Sequence, residues 1–101
     1  MTLVAILTVR TEAKEKFRAF EMHAAAVMKR HGGRIERTIV VASDGSPGVF
    51  REIHVVTFPN AEAFAAYRRD QRLDEMASLR EESVVNTEIF IGEDGSTYGA
   101  T

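Results

Sequence analysis

The pair Pro59-Asn60 marks the sharpest structural boundary in this chain. Residues 50–58, which precede it, are rich in β-branched and aromatic side chains and so favour a strand. Pro59 has no N–H to donate to a central sheet ladder, and the strand must end there. The Asn60 side chain can accept a hydrogen bond in the first turn of the Ala-rich residues 61–70. The sequence therefore predicts a strand that leads directly into a helix.

Hydrophobic periodicity predicts the elements before this junction. Residues 3–9 form an apolar run without alternation, which is typical of a strand covered on both faces. Residues 12–31 carry apolar side chains at three- and four-residue spacing and form a long amphipathic helix, which Gly32-Gly33 can end in a left-handed conformation. Residues 34–42 alternate as a second strand, and the turn residues 43–48 then lead into the strand at residues 50–58.

The order of elements predicts the fold class. After the helix at residues 61–70, residues 70–72 form a kink, Leu73, Met76 and Leu79 indicate further helical turns, and residues 84–91 form a fourth strand. Strand, helix, strand, strand, helix, strand is the order of an α+β, ferredoxin-like βαββαβ sandwich. We expect an antiparallel four-stranded sheet in the order fourth, first, third, second, with the helices on one face. This domain spans residues 1–92, and residues 93–101 form a C-terminal tail.

Both faces of the predicted sheet carry apolar side chains. In the first strand Val4 and Ile6 oppose Leu3 and Leu7, and the third strand has the same character. A monomer would leave one of these faces in water, and an apolar patch of more than a few hundred Å² (roughly) marks an interaction surface. We therefore expect a homodimer in which the sheet of a second copy covers that face.

The composition of the chain limits its expected partners, location and cofactors. A net charge of −2 provides no general attraction to nucleic acid or to an anionic membrane. The absence of cysteine excludes disulfides and thiolate chemistry and makes the cytoplasm the expected location. The apolar start of the chain lacks the basic leader of a signal peptide and reaches Arg10 too soon to span a bilayer. Without cysteine or a closely spaced histidine pair, we expect neither a metal site nor a bound cofactor.

His54 and Glu52 are the predicted catalytic residues, because a two-residue spacing on a strand places both on one face. Pairing Ala42 with Val49 across the hairpin would set Arg37 opposite His54 on that same face. The carboxylate could then orient the imidazole as a general base, and Arg37 could hold a ligand carboxylate or enolate. The alternative is a half-solvated ladder of cross-strand ion pairs without a functional role.

Other polar residues have a structural and a functional interpretation. Tyr67 could place its phenol in a ligand cleft, or could simply pack in the core with Phe64. Thr57 and Arg51 would become the ligand-binding residues if the site used the opposite sheet face. Four arginines make a small basic cluster that neighbouring acids balance, which is typical of a solvated helix face: Arg68, Arg69, Arg72 and Arg80.

The motif V-x-F-P-N-x-E-A-F-x-x-Y, from Val56 to Tyr67, and the spacing of the elements over residues 1–92 resemble a known superfamily. This is the dimeric α/β-barrel superfamily of small bacterial ferredoxin-like proteins. The chain is most similar to one of its domain families of unknown function, to which the antibiotic-biosynthesis monooxygenase-like proteins are a related family. The resemblance implies a homodimer whose two sheets pack face to face. It also implies a small cleft between sheet and helices that binds small organic molecules, and it assigns no catalytic residue.

Two hypotheses of function follow. The first is a homodimer that binds a small, partly apolar organic molecule and acts as a cofactor-free monooxygenase or isomerase, with His54 taking a proton and Arg37 stabilising the anion. The second is a non-catalytic ligand-sensing or protein-interaction module. A cleft with converging polar side chains favours the first hypothesis. A cleft filled by aromatic side chains favours the second, and those side chains are Phe50, Phe58, Phe64 and Tyr67.

Overall fold

The computed structural model describes residues 1–41 and 45–99, and it contains four strands and three α-helices within those ranges. A single 3₁₀ turn, Thr11–Ala13, precedes the first α-helix, and a 3₁₀ segment, Gln71–Met76, precedes the third. In chain order the elements are β1 (Thr2–Arg10), α1 (Lys14–Arg30), β2 (Arg34–Val41), β3 (Val49–Thr57), α2 (Ala61–Arg68), α3 (Ala77–Ser83) and β4 (Val84–Gly92).

The sheet has the predicted topology. Its strands are antiparallel and follow the order β2-β3-β1-β4. The helices cover one face, where side chains of β1 and β3 pack against Phe17 and Met28 of α1 and Phe64 of α2. The prediction of a ferredoxin-like α+β fold is therefore confirmed.

The core consists of two apolar clusters under the helices. The first joins β1 and β3 to α1 and α2 and contains Leu3, Met28, Val56, Phe58 and Phe64. The second joins the other end of the same strands to α1 and β4 and contains Leu7, Val9, Phe17, Phe50 and Val84. Ala5 packs against both clusters. The boundary between the two halves of the core thus lies at the middle of β1.

The turn residues act as the sequence predicts. Asn60 Oδ1 accepts a hydrogen bond from the backbone N–H of Ala63 at 2.8 Å and caps α2. Gly32 ends the long helix with φ of +73°, a conformation that glycine adopts without steric cost. A Cβ at Gly33 would lie 2.4 Å from the Phe58 ring, so this glycine lets the chain pass closely over the core.

The predicted register of the β2–β3 hairpin is wrong beyond Glu36. Arg34 pairs with Thr57 as expected, but a bulge follows, and Arg37 then lies opposite Val55 while Thr38 lies opposite His54. One extra residue turns every later side chain of β2 to the other face. Arg37 is consequently on the face away from the helices. The predicted pairing of Ala42 with Val49, and the loop that begins at Ser43, fall partly on residues 42–44, outside the described ranges.

Polar contacts hold this bulge in place. Glu36 Oε1 accepts a hydrogen bond from Thr57 Oγ1 at 3.0 Å and pairs with Arg34 Nε at 2.7 Å. Both contacts lie on the sheet face away from the helices, because Arg34 and Thr57 are paired there. The side chain of the bulged residue is therefore bonded to the two residues that precede the change of register.

The sheet face away from the helices has an apolar centre that is only partly covered. Its central positions, Val4, Ile6, Ile53 and Val55, are of intermediate exposure. At its margins Ile39 and Phe90 are 39% and 58% exposed. No helix among the described residues is long and apolar enough to cross a membrane.

His23 of α1 and His31, which caps the end of α1, form hydrogen bonds to the segment that follows α2. His31 Nε2 donates to Asp70 Oδ2 at 2.8 Å, and His23 Nε2 donates to the carbonyl oxygen of Arg72 at 2.6 Å. Asp70 also accepts from the backbone N–H of Arg72 at 2.9 Å and from its guanidinium at 3.0 Å. The hydrogen bond from His31, reinforced by these contacts to Arg72, lowers the pKa of Asp70 to about 2.

Replacing Asp70 with Asn should lower thermal stability near neutral pH, because the amide keeps the cap but loses the charge that pairs with His31 and Arg72. The lowered pKa means that this stabilisation exists above the ordinary pKa of 3.8 and disappears as the pH falls towards about 2. Thermal unfolding followed by circular dichroism should show a difference between wild type and Asp70→Asn that narrows over this range. Asp74→Asn, at an exposed position of the same 3₁₀ segment, is the matched control. A constant difference from neutral pH to about pH 2 would contradict this account.

Candidate functional site

A cavity of about 230 Å³ lies between the sheet and the helices. Its walls are mostly apolar. Strand β1 contributes Leu3, Ala5 and Leu7, and helix α1 contributes Phe20, Ala24 and Met28. The other apolar lining residues are Val56, Phe58, Phe64, Leu73 and Ile89. Six polar or titratable side chains also reach it: Glu21, His54, Tyr67, Arg68, Arg80 and Thr87. Apolar walls with a few convergent polar groups are the usual character of a small-molecule site.

His54 is the buried polar side chain at the centre of this wall. It is only 5% exposed and lies opposite Ala5, where the two apolar clusters meet. Glu52, two residues earlier on β3, shares its face, and His54 Nε2 donates to Glu52 Oε1 at 2.8 Å. A carboxylate bonded to one ring nitrogen fixes the orientation of an imidazole and leaves the other nitrogen for chemistry. The predicted Glu52–His54 contact is thus present in the fold.

Glu21 of α1 approaches the other nitrogen of the same ring. Its Oε2 lies 3.7 Å from His54 Nδ1, and its side chain is 19% exposed. Burial raises the pKa of Glu21; the charges of His54 and Arg80 oppose that shift, and the charge of Glu52 adds to it. His54 therefore lies between two carboxylates, of which Glu21 lines the cavity.

Glu21 is a cavity residue that the sequence predictions missed, although its position in the sequence carries a signal. Phe17, Glu21, Ala24 and Met28 follow the four- and three-residue spacing of the apolar stripe of α1. An acidic residue within such a stripe must be buried with partners or face a cavity. Only the fold shows that the partner is His54, because the two residues are far apart in sequence.

Tyr67 both packs in the core and lines the cavity, so its two sequence-based interpretations are compatible. Its ring contacts Phe58 with 5.4 Å between centroids, and it packs against the cluster around Leu3. Burial, with a further contribution from the charge of Glu21, raises the pKa of Tyr67 to about 12. Its hydroxyl therefore remains a neutral hydrogen-bonding group in the cavity at neutral pH.

The four clustered arginines of the sequence separate in the structure. Arg80, on α3, lines the cavity and donates through Nη2 to Thr87 Oγ1 at 3.2 Å. Arg68 lies over the ring of Phe64, 5.5 Å from its centroid, and also reaches the cavity. Arg72 instead pairs with Asp70. All four arginines are exposed, as expected of a solvated helix face, and Arg68 and Arg80 in addition line the cavity.

Three predicted ligand-binding residues lie on the opposite sheet face from His54. Arg37 is placed there by the bulge at Glu36, and the predicted Arg37–His54–Glu52 cluster does not form. Thr57 and Arg51 alternate with His54 along β3, and the Thr57 hydroxyl donates to Glu36. The cavity in turn lacks Phe50, which packs in the core against Phe17 at 6.3 Å between ring centroids.

Within residues 1–41 and 45–99, no group of three or more His, Asp or Glu side chains has the geometry of a metal site. His23 and His31 instead form hydrogen bonds to the segment that follows α2.

Comparison with known proteins places this geometry in a structural context. No protein-family model and no curated protein matches the sequence. Among solved structures, SnoaB, a cofactor-independent oxygenase from Streptomyces nogalater, matches with a TM-score of 0.62 and 18% identity, covering 95% of each chain. A structure described as an antibiotic biosynthesis monooxygenase matches with a TM-score of 0.63 and 9% identity, covering 94% of this chain and 98% of its own.

A conserved protein of unknown function from Bacteroides thetaiotaomicron is also similar, with a TM-score of 0.57 and 19% identity over 88% of this chain and 95% of its own. At such identities the shared property is the fold. The chain therefore has the ferredoxin-like α+β fold that is found in antibiotic-biosynthesis monooxygenase-like proteins.

Proposed function

We propose that this chain is a cytoplasmic homodimer that binds a small, partly apolar organic molecule in the cavity and abstracts a proton from it with His54, without a cofactor. One observation carries the proposal. His54 is buried, its imidazole is bonded to a carboxylate through Nε2, and it lines a cavity with mostly apolar walls in which Glu21 Oε2 lies 3.7 Å from its Nδ1. The cysteine-free composition supports the cytoplasmic location.

The proton transfer follows from the two sides of the ring. In the tautomer that donates Nε2–H to Glu52, Nδ1 keeps its lone pair. A substrate with a C–H bond next to a carbonyl or phenolic ring can lose that proton to Nδ1, and the C–H electron pair moves onto the oxygen as an enolate. Glu52 stabilises the imidazolium that results, as a carboxylate does in a catalytic triad.

The same first step leads to two reactions. Return of the proton to another carbon completes an isomerisation. Reaction of the carbanion with dissolved O₂ converts a CH₂ group and O₂ into a carbonyl group and water, so that the oxygen supplies both the new oxygen atom and the oxidant. The cofactor-independent oxygenase SnoaB has this fold, which favours the second reaction.

The rival hypothesis is a ligand-sensing or protein-interaction module. Phe58, Phe64 and Tyr67 do line the cavity, as that hypothesis expects, yet they leave about 230 Å³ unfilled. Polar side chains from α1, β3 and α3 converge on the same space. This convergence favours a catalytic ligand site over a cleft that is filled by aromatic side chains.

The sheet face away from the helices supports the homodimer. Val4, Ile6, Ile53 and Val55 make a continuous apolar centre that the chain itself leaves partly open. Two such faces can cover one another about a two-fold axis, since the same patch then serves both copies. The cavity lies on the other side of the sheet, so this pairing leaves its lining intact.

We expect Ile6→Glu to abolish the dimer, because an uncompensated charge buried in an apolar interface costs about 3–5 kcal/mol. Light scattering after size exclusion should give twice the 11.2 kDa chain mass for the wild type and a monomer or unfolded chain for the variant. Met22→Glu, at a position 76% exposed on α1, is the matched control and should remain a dimer. A wild-type mass of 11.2 kDa at micromolar concentration would disprove the dimer.

Catalysis can be tested with phenylpyruvate, whose benzylic hydrogens are enolisable, by following their exchange in D₂O with proton NMR. Wild type should accelerate exchange, and His54→Gln should lose about 10²–10⁴-fold of that acceleration, the usual contribution of a general base. Arg37→Ala, on the other sheet face, is the control and should exchange at the wild-type rate.

Binding without exchange decides between the two hypotheses. If ring signals of His54 shift as phenylpyruvate is added but the wild type does not accelerate exchange, the chain is a ligand-sensing module. Equal rates of exchange for wild type and His54→Gln would instead show that His54 is not the general base.

A further inference from the structure

Arg80 is a cation of the cavity wall that forms no ion pair within the described part of the chain, although its charge acts on Glu21. Its one protein hydrogen bond goes to the Thr87 hydroxyl, at 3.2 Å, and no described carboxylate lies at ion-pair distance from its guanidinium. The side chain is exposed at the edge of the cavity, between α3 and β4. A guanidinium has five N–H donors in a planar fork that matches a carboxylate, so most of its bonding capacity is open to a ligand.

The second cation of the cavity is differently engaged. Arg68 lies over the Phe64 ring at 5.5 Å, where the face of the ring attracts its charge. Aromatic and aliphatic side chains, including Phe20, Met28 and Phe58, supply the rest of the wall. The cavity therefore offers apolar walls for the body of a ligand and one guanidinium whose N–H groups are available to bind it.

Glu21 competes for the charge of that guanidinium. The charged and titratable groups that face it are His54 and Glu52 from β3, Arg80 from α3, and Tyr67 from α2. Arg80 favours the ionised carboxylate of Glu21, whereas burial and Glu52 disfavour it. A ligand anion bound to Arg80 would place a further negative charge near Glu21 and would further disfavour the ionisation of Glu21.

We propose that the ligand of this cavity is an organic monoanion, with an apolar ring and a single carboxylate or enolate that pairs with Arg80, and that Glu21 takes up a proton when it binds. This inference rests on the proposed function, since it names the class of ligand for the same cavity. Protonated Glu21 removes the like charge next to the anion and keeps a hydrogen-bond donor beside it.

The proton uptake fixes the sign of the pH dependence. Where Glu21 is ionised in the free protein, binding requires a proton from solvent, and affinity falls as the pH rises, by up to about tenfold per pH unit. Where Glu21 is already protonated, affinity does not change with pH. Because burial raises the pKa of Glu21 above 4.5, the transition lies above the range of an ordinary glutamate.

The test uses 2-naphthoate and its neutral analogue 2-naphthamide, which have the same ring and nearly the same shape. Isothermal titration calorimetry from about pH 5 to about pH 8, in buffers that differ in ionisation enthalpy, gives both the affinity and the number of protons taken up. We expect naphthoate to bind at least about tenfold more tightly than naphthamide and to take up as much as one proton, and naphthamide to take up none.

Three variants assign these effects to residues. Arg80→Gln should abolish the preference for naphthoate, and Arg69→Gln, an arginine outside the cavity, should retain it. Glu21→Gln should bind naphthoate with no proton uptake and with little change in affinity across the pH range. Thermal unfolding of each variant establishes that the fold is intact.

Several results would overturn the inference. Equal affinity for the two probes, or a preference that survives Arg80→Gln, would exclude the anion site while leaving the proposed function in place. Proton uptake that persists in Glu21→Gln and is lost in His54→Gln would exclude Glu21 as the acceptor. Binding of neither probe would overturn this inference and the proposed ligand cavity together.

Discussion

The pairing of β1 with β3 is the constraint on which the rest of this structure depends. These strands pair without interruption from Thr2 with Thr57 to Arg10 with Val49. One face of the sheet therefore carries Leu3, Leu7, Val9, Phe50 and Val56. Helices α1 and α2 pack on this face. Ala5 faces His54 across the same ladder, and the small alanine leaves space where a larger side chain would fill the core. The cavity and its imidazole are therefore consequences of this register.

The fold could be predicted because its signals are local and mutually consistent. Pro59 and Asn60 end a strand and cap a helix through their own chemistry, and Gly32 ends α1 with a positive φ. The order of elements then leaves few topologies, since right-handed crossovers and short hairpins exclude most others. Each of these inferences needs only residues that are neighbours in sequence.

The site was predicted only in part, because its other members meet through tertiary contacts. Glu52 and His54 were identified because two residues on one strand share a face. Arg37 was misplaced because a bulge at Glu36, held by Thr57 and Arg34, has no clear sequence signature. Glu21 was not identified, although its spacing from Phe17 and Met28 places it in the apolar stripe of its helix.

The protonation of this cavity depends on interactions among the charges of several side chains. Glu52 and Glu21 lie on the two sides of His54, and Arg80 supplies a positive charge at the cavity edge. In a medium of low effective dielectric, the protonation of any one of these groups depends on the others. A bound anion would become part of this balance, which is why we couple ligand charge to proton uptake.

A crystal structure of the protein soaked with phenylpyruvate tests the central claim most directly. We expect the ligand in the cavity between sheet and helices, with its carboxylate on Arg80 and its benzylic carbon about 3–3.5 Å from His54 Nδ1, the distance of a reactive complex. A ligand bound on the Arg37 face of the sheet, or in the cavity with its benzylic carbon turned away from His54, would contradict it.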